Sequence, residues 1–275
     1  MSKNIIDFPV ILTYHKKDQY TIKYCIENVR KNLIFKEIIV LSSIKNQSFI
    51  ESLGCKFINE NIIGKKNVDN FLNLKNGGWY LQQVLKFYIS EIIEYEYYLV
   101  LDSDTVLLNS ISFFKNDKPC YSISDKTFSQ YSNGNEFLLG KKIDIDFSFI
   151  SHHMIFKTQI VKKIMSEITQ NKGKSWILSI LDICKKNNKD IAFSEFETYG
   201  NYLLQNNIEL NLRTIKTIDI PLKPSKFWIS LYSLRFKMVS FHKYSWSADS
   251  NIRKALKCIK YFFIPFLAKN LYFNL

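Results

Sequence analysis

Residues 97–105 read YYLVLDSDT, an apolar run that ends on two aspartates. Such a run, bounded by polar residues, predicts a buried strand of a parallel sheet. In open α/β sheets, ligands bind at the carboxyl ends of the strands. Asp102 and Asp104 stand at that end, and hard cations such as Mg²⁺ and Mn²⁺ prefer carboxylate oxygens. We therefore predict a metal site at these two acids.

The residues before this stretch predict its fold class. Apolar runs at 8–13, 37–41 and 55–58 alternate with helical patterns, the first of them capped by Asp18 and running to about residue 32. Residues 79–93 carry apolar side chains at helical spacing and lead directly into the stretch. This alternation predicts βαβ units, and hence a mostly parallel central sheet flanked by helices.

Beyond residue 108 the pattern is less regular. A polar segment at 125–142 predicts a functional loop, because long irregular segments inside domains usually serve function. The later elements that we predict are helices at 158–170, 174–187 and 193–206, the last capped by Ser194, and strands at 209–220 and 237–241. We expect one continuous domain over residues 1–248, followed by a tail at 249–275.

Composition narrows the class of protein. The chain has 275 residues, 47% of them hydrophobic, which suits one α/β domain. Its five cysteines are scattered without metal-ligand spacing, which favours a reducing compartment over a disulfide scaffold or a zinc site. We expect neither a signal peptide nor a membrane-spanning helix, since the sequence has no apolar run of the required length.

The net charge of +13 raises the question of an anionic partner. No helix-turn-helix, zinc-finger or RNP-like motif is present, so we do not expect nucleic-acid binding. Residues 251–275 contain five basic residues, six aromatic residues and no acid, with apolar positions near helical spacing. That pattern favours an anionic membrane surface as partner. The alternative is a C-terminal helix that docks on the core and leaves its lysines in solvent.

The acidic pair fits two kinds of chemistry. One is the D-x-D element of metal-dependent glycosyltransferases, in which the acids hold a cation that bridges the diphosphate of a nucleotide-sugar. The other is the D-x-D-x-[TV] motif of haloacid-dehalogenase-type phosphatases. That motif closes the first strand of its domain, whereas three predicted strands precede Asp102 here. A third alternative is a pair of acids that only caps the following turn.

Two further features point to the same site. His242 ends a short apolar strand, and a neutral imidazole suits Mn²⁺ beside two carboxylates. Lys243, the next residue, is placed to meet a phosphate. The alternative is a surface histidine at the end of a strand. Together with the acidic pair, we favour the metal ligand.

Other polar residues are candidates for contact with an acceptor. Inverting sugar transfer needs a carboxylate base, and Glu195 or Glu197 could supply it, although at most one of them faces a given site. Both acids also suit the start of a helix, where the macrodipole favours them. His152 and His153 interrupt an apolar run and are candidate acceptor contacts; the alternative is one buried and one exposed histidine.

The chain resembles a known family on five segments taken in order. They are GGWYLQQVLK at 77–86, YYLVLDSDT at 97–105, SHHM at 151–154, SEFETYG at 194–200 and VSFH at 239–242. Together they are similar to bacterial GT-A-type glycosyltransferases of capsule and lipo-oligosaccharide synthesis, many of which are known only as a domain of unknown function. The resemblance extends from about residue 8 to residue 244 and leaves out the tail.

The resemblance implies a GT-A fold, a UDP-sugar donor and Mn²⁺ or Mg²⁺ as cofactor. By matching position, the metal ligands are Asp102, Asp104 and His242. The expected donor-binding residues are Thr13, Tyr14, Gln82, Lys86, Asp102, Ser103 and Lys243. Residues 1–108 would form the nucleotide-sugar-binding half and residues 109–248 the acceptor half, with Glu195 or Glu197 near the acceptor.

The sequence therefore predicts a hexosyltransferase that moves a sugar from a nucleotide-sugar to a hydroxyl of a glycan or glycolipid acceptor, with inversion favoured. We expect it in the cytoplasm, on the inner face of the cytoplasmic membrane. Two alternatives stay open, namely a phosphatase that uses Asp102 and Asp104, and a non-catalytic protein that binds the membrane surface.

Overall fold

The protein is built around a five-stranded sheet. The computed structural model describes residues 4–186, 192–242 and 259–264. In chain order, the strands of these residues are β1 (Asn4–Ile5), β2 (Val10–Thr13), β3 (Leu33–Ile34), β4 (Ile38–Ser42), β5 (Lys56–Asn59), β6 (Tyr97–Leu101), β7 (Thr105–Leu107), β8 (Phe114–Lys115), β9 (Lys118–Ser122), β10 (His153–Lys157), β11 (Asn211–Arg213), β12 (Thr217–Ile220) and β13 (Met238–Phe241). The α-helices are α1 (Ile22–Asn32), α2 (Gln47–Ser52), α3 (Lys65–Leu72), α4 (Gly77–Tyr88), α5 (Ser129–Leu139), α6 (Thr158–Lys172), α7 (Trp176–Lys186), α8 (Glu195–Gln205) and α9 (Lys226–Ser233).

The central sheet is mostly parallel. Its spatial order is β10-β6-β2-β4-β5, and only β10 runs antiparallel to its neighbour. Strands β2 and β4 are buried at every residue, as is β6 from Tyr98 onward. Burial on both faces explains why these strands are continuous apolar runs and do not alternate with polar residues. The predicted class, mixed α/β with a mostly parallel sheet flanked by helices, is confirmed.

Helices cover both faces of this sheet. On one face, Val10 and Val40 pack into a core with the buried side of α1 and with Ile50 of α2. On the other face, Ile11 and Val100 belong to a larger core that includes residues of α4, α6, α7 and α8. Neighbouring residues of one strand thus face opposite layers, as the pleat of a strand requires.

A smaller sheet extends from the carboxyl end of β6. Its order is β12-β13-β7, with β13 parallel to β12 and antiparallel to β7. It has an apolar cluster of its own, which includes Val106, Val239 and Tyr232 of α9. Because β7 follows the two aspartates directly, this sheet brings the C-terminal part of the chain to the acidic pair.

Helix α4 lies close to the preceding helix, α3. It begins at Gly77 and ends at Tyr88, before a short 3-10 turn at Ile89–Glu91, whereas the sequence predicts one helix over 79–93. A Cβ placed on Gly77 would lie 1.7 Å from the carbonyl oxygen of Phe71. The close approach of the two helices therefore requires a residue without a side chain at this position.

The predicted loop at 125–142 is wrong in its central part, which forms α5. The sequence of this helix is polar and contains Gly134, so its local pattern is weak. A Cβ on Gly134 would lie 1.9 Å from the carbonyl oxygen of Ala192, so this helix is set by tertiary packing. Helix α3 was not predicted either, because residues 59–78 are mostly polar. The single strand expected at 209–220 is two strands, β11 and β12, which belong to different sheets.

Asp18 does not cap α1. That helix begins at Ile22 after Thr21, and Asp18 lies in a 3-10 turn at Lys16–Asp18. Its side chain is buried and accepts a hydrogen bond of 3.1 Å from the Ser103 hydroxyl. The acid thus contacts Ser103, the residue between the two predicted metal ligands Asp102 and Asp104.

Several expectations concern the C-terminal part of the chain. Lys243 and most of the basic segment 251–275 lie outside the described residues; within that segment, residues 259–264 are helical. In the parts of the chain that the structure describes, none of the helices has the length and apolarity needed to cross a bilayer. Four cysteines (Cys25, Cys55, Cys120 and Cys184) are buried free thiols.

Candidate active site

The two aspartates lie in a tight turn between β6 and β7. The backbone N–H of Thr105 donates to the carbonyl of Asp102 at 3.0 Å, which closes the turn. Both carboxylates are partly exposed, with 26% of the Asp102 side chain and 20% of the Asp104 side chain accessible. They therefore lie at the carboxyl end of β6, where the sequence places them.

Strand pairing brings His242 to Asp104. Because β13 runs antiparallel to β7, the residue after β13 meets the residue before β7. The backbone N–H of Phe241 donates to the Asp104 carbonyl at 2.8 Å, and His242 Nδ1 lies 3.1 Å from Asp104 Oδ2. The two side chains are 138 residues apart in the sequence. Their contact follows from the small sheet alone.

Strand pairing also brings His152 to Asp102. Strand β10 is antiparallel to β6, and the Asp102 N–H donates to the His152 carbonyl at 3.0 Å. His152 Nδ1 lies 3.2 Å from Asp102 Oδ2. His152 has a φ of 61°, in the left-handed region that a residue with a side chain seldom adopts. Strained backbone of this kind clusters at functional sites.

Asp219 joins the two histidines. It lies on β12, which is parallel to β13, and it pairs in register with Ser240. Its Oδ1 is 3.1 Å from His152 Nε2 and 3.6 Å from His242 Nε2. The two imidazole rings are 5.6 Å apart between centroids. Five side chains thus alternate as acid and imidazole, in the order Asp102, His152, Asp219, His242 and Asp104.

The charges of this row stabilise one another. Burial disfavours the charged form of His152, but its hydrogen bonds to Asp102 and Asp219 outweigh that effect and raise its pKa to about 10. The same balance, with Asp104 and Asp219 as partners, raises the pKa of His242 to about 9. Burial acts to raise the pKa of Asp219, yet the two histidines hold it well below its usual range. The two histidines and Asp219 therefore favour one another's charged forms.

Lys86 forms ion pairs with Asp102, the first acid of this row, and with Glu195. This lysine of α4 is 4% exposed, and its Nζ lies 2.7 Å from Asp102 Oδ1 and 2.7 Å from Glu195 Oε1. It also lies 4.7 Å from the ring centroid of Phe196. Burial works against its charge, but the two carboxylates raise its pKa, so it stays cationic. Burial likewise opposes the charge of Asp102, and Lys86 reverses this and lowers the Asp102 pKa.

The two candidate bases have different surroundings. Glu195 begins α8 and is bound to Lys86, and burial raises its pKa despite that partner. Glu197 accepts hydrogen bonds from the Ser148 hydroxyl, from the Phe149 N–H at 3.2 Å and from Asn201 Nδ2 at 3.2 Å. Only Glu195 is linked to the acidic pair, so the two side chains do diverge as their spacing suggests. Ser194 caps α8 by accepting from the Glu197 N–H.

The remaining expected donor-binding residues lie along the same edge of the sheet. Thr13 ends β2, and its hydroxyl is 3.5 Å from the side-chain oxygen of Gln82 on α4. Tyr14 follows in the turn after β2 and is buried. Ser103 is buried and donates to Asp18. All four residues are therefore close to the carboxyl ends of β2 and β6.

His153, expected as an acceptor contact, is buried, and both of its ring nitrogens contact protein groups. It is 2% exposed; its Nδ1 donates to the Ser151 carbonyl at 2.8 Å, and its Nε2 lies 3.0 Å from the Ser122 hydroxyl. Burial lowers its pKa to about 4, so the ring is neutral. Of the histidine pair, only His152 faces the acidic row.

A family comparison places this chain among related sequences. The profile of the family of unknown function DUF6492 matches residues 26–222, which include the acidic pair, His152 and Asp219. The chain belongs to DUF6492. No curated protein matches the sequence. The family description carries no activity.

Three solved structures with a similar fold are glycosyltransferases. Mouse xyloside xylosyltransferase 1 is 10% identical, with a TM-score of 0.47, and the match covers 87% of this chain and 99% of that one. The galactosyltransferase LgtC, in complex with donor and acceptor sugar analogs, is 12% identical, with a TM-score of 0.48 and coverage of 92% and 96%. GlyE of Streptococcus pneumoniae is 10% identical, with a TM-score of 0.38 and coverage of 76% and 45%. These are distant likenesses.

The donor set of this DUF6492 member fits a divalent cation. One ligand atom each from His152, Asp219 and His242 lie within 4.8 Å of one another, and Asp102 and Asp104 adjoin them. Carboxylate and imidazole together suit Mn²⁺ and similar ions. Sequence reasoning missed Asp219, because a single acid in a half-exposed strand carries no motif. It also gave His152 an acceptor role, since its contact with Asp102 depends on the pairing of β10 with β6.

Proposed function

We propose that this protein is a metal-dependent glycosyltransferase that uses a nucleotide-sugar donor. The observation that carries the proposal is the convergence of Asp102, Asp104 and His242 at the carboxyl end of β6. Three potential ligands from two segments 138 residues apart meet where α/β proteins bind nucleotides. The resemblance of the sequence to GT-A-type enzymes assigns the metal role to the same three residues.

The site residues have distinct tasks in this proposal. Asp102, Asp104 and His242 would hold Mn²⁺ or Mg²⁺, which, when bound, supplies a Lewis acid for the diphosphate leaving group. Lys86 keeps Asp102 ionised and fixed, because its ammonium is buried against that carboxylate. Thr13, Tyr14 and Gln82 line the adjacent edge of the sheet, where the uracil and ribose of a UDP-sugar would lie.

Inverting transfer requires a carboxylate that takes the proton of the acceptor hydroxyl. Of the two acids near the start of α8, Glu195 is connected to Asp102 through Lys86. The Glu197 carboxylate is already used by three donors of the protein interior. Glu195 is therefore the better candidate for the base.

The donor and acceptor classes come from the sequence resemblance. A UDP-hexose would be the donor, and a hydroxyl of a capsule or lipo-oligosaccharide chain would be the acceptor. In the rival phosphatase mechanism a second acidic pair is needed near the first. Asp144 and Asp146 have the same spacing as Asp102 and Asp104, and both are exposed on the segment between α5 and β10. That position does not favour a phosphatase.

The location proposed for this enzyme is the cytoplasmic side of the membrane, on the lipid surface. Phe227 of α9 and Phe262 stack with ring centroids 6.2 Å apart and an interplanar angle of 5°, and both are exposed, by 56% and 37%. Exposed lysines, Lys226 and Lys260, lie close to them in the sequence. Exposed aromatic rings beside cations suit an anionic lipid surface.

The membrane proposal is tested by co-sedimentation of the protein with vesicles that contain or lack phosphatidylserine. Replacing Phe227 and Phe262 by Ser, or deleting residues 251–275, should lower the fraction bound to anionic vesicles and leave turnover of a soluble acceptor unchanged. Leu72→Ser, which alters a residue that is 49% exposed on α3, is the control. If the double variant sediments with anionic vesicles as the natural chain does, the proposed membrane binding is wrong.

The catalytic proposal is tested by UDP release from a panel of UDP-sugars, with Mn²⁺ and with a chelator. We expect at least one donor to be turned over and the chelator to stop the reaction. Asp104→Ala should lower metal-dependent turnover by at least about 100-fold, since it removes a proposed ligand. Full activity of this variant would refute the metal assignment, and release of inorganic phosphate from a generic ester would favour the phosphatase.

A further inference from the structure

The protein carries more potential metal ligands than the three residues assigned above. His152 and Asp219 complete a compact group with His242, in which one ligand atom from each residue lies within 4.8 Å of the other two. Asp219 Oδ1 is 3.1 Å from His152 Nε2 and 3.6 Å from His242 Nε2. These separations suit ligands of one cation, because metal–ligand bonds of about 2.0–2.2 Å place neighbouring ligand atoms about 3 Å apart. The group comes from three separate segments of the chain.

The two histidines are held in the same way. Each directs its Nδ1 to a carboxylate of the acidic pair, at 3.2 Å for His152 and 3.1 Å for His242. Each directs its Nε2 to Asp219 Oδ1. Metal-binding histidines commonly donate one ring N–H to a carboxylate, which fixes the ring and leaves the other nitrogen for the metal.

We propose that His152 and Asp219 are protein ligands of the divalent cation in addition to Asp102, Asp104 and His242, and that the acidic pair also orients the two imidazoles. The inference rests on the proposed function, since the cation is the one that the glycosyltransferase would use. It changes the assignment of His152 from an acceptor contact to a metal ligand and adds a residue that no sequence motif marks.

This ligand set has a consequence for the choice of metal. The presence of two imidazoles beside the carboxylates favours a transition ion over Mg²⁺, which prefers oxygen ligands and keeps its waters. We therefore expect Mn²⁺ to bind at least about tenfold more tightly than Mg²⁺.

The backbone at His152 offers a precise test. Asn tolerates the left-handed region better than most residues, so His152→Asn removes the imidazole and keeps the turn. Asp219→Asn removes a charge from a half-exposed side chain and preserves its shape. Asp69→Asn, at an exposed position of α3, is the matched control. Far-UV circular dichroism and thermal unfolding in EDTA establish that each variant folds.

The experiment is a titration of the full-length protein with Mn²⁺ alone, followed by electron paramagnetic resonance. We expect His152→Asn and Asp219→Asn each to weaken Mn²⁺ binding by about 10–100-fold, with Asp69→Asn unchanged. Pulsed measurements on Mn²⁺-loaded protein should detect two imidazole nitrogens in the natural chain and one in His152→Asn. The inference is overturned if both variants bind Mn²⁺ like the natural chain.

The two proposals fail in different ways. If Mn²⁺ binding depends on His152 and Asp219 but no UDP-sugar is turned over, the metal site is supported and the glycosyltransferase function is contradicted. If turnover depends on Asp104 while both variants keep their Mn²⁺ affinity and nitrogen signals, the glycosyltransferase function is supported. The assignment of His152 and Asp219 as metal ligands is then wrong.

Discussion

The ammonium of Lys86 lies 2.7 Å from a carboxylate oxygen of Asp102, in a position where the lysine side chain is 5% exposed. The same ammonium is 2.7 Å from Glu195. Removing the Lys86 ammonium would leave the carboxylates of Asp102 and Glu195 close together with little access to solvent. Breaking a buried ion pair in this way costs about 3–5 kcal/mol.

We therefore expect Lys86→Met to lower the free energy of unfolding by that amount, measured by urea denaturation in EDTA. The control is Lys118→Met, which removes an ion pair with Glu209 whose side chains are 51% and 74% exposed. Exposed pairs contribute about 0–1 kcal/mol, so this variant should change little. Equal effects of the two substitutions would mean that Lys86 is not compensating buried charge.

Glu195 and Glu197 should separate into a base and a structural residue. Glu195→Gln should lower the turnover number by about 100-fold or more, which is the contribution of a positioned base. Glu197→Gln should act on stability, because Ser148, Phe149 and Asn201 all donate to its carboxylate. Turnover and urea unfolding of both variants give the comparison. If both keep the natural turnover, neither residue is the base.

Asp18 should make stability depend on pH. Burial raises its pKa from 3.8 to about 6, with Asp104 adding to the effect. An acid with a raised pKa in the folded state binds its proton more tightly there than in the unfolded chain. Its contribution to stability therefore falls as pH rises from about 4 to about 6 and stays low above that range.

Asp18→Asn cannot ionise, yet its amide oxygen can still accept from Ser103. In EDTA, the variant should gain stability over the natural chain as pH rises from about 4 to about 6, by about 3 kcal/mol at most, with no further change at higher pH. Urea unfolding across this range measures the difference. A difference that is flat with pH would contradict the burial of an ionisable Asp18.

Replacing each of two adjacent glycines of α4 by alanine should change the stability of the protein in opposite directions. A Cβ at Gly77 would lie 1.7 Å from the Phe71 carbonyl oxygen, whereas nothing lies within 4 Å of a Cβ at Gly78. Gly77→Ala should lower stability by about 1–3 kcal/mol or more, because the backbone of α3 must move. Gly78→Ala should raise stability by up to about 1 kcal/mol through helix propensity. Thermal unfolding of the two variants checks this, and similar melting temperatures would refute it.

Local sequence was sufficient for the sheet and for the position of the acidic pair at the end of β6. Strands β2, β4 and β6 were predictable because a strand buried on both faces must be apolar along its length. The acidic pair was predictable because polar residues at the end of such a strand have few roles other than binding or capping a turn. His242 was found for the same reason, since it directly follows a short buried strand.

Tertiary structure decided which side chains meet. Helix α5 is set by packing against its neighbours, in spite of a weak pattern of its own. Lys86 is one of many lysines until the fold buries it between Asp102 and Glu195. His152 and Asp219 reach the acidic pair only through the pairing of β10 with β6 and of β12 with β13. Apolar periodicity is a local property that the sequence displays directly. Proximity between residues far apart in the chain depends on strand register, which no short stretch of sequence encodes.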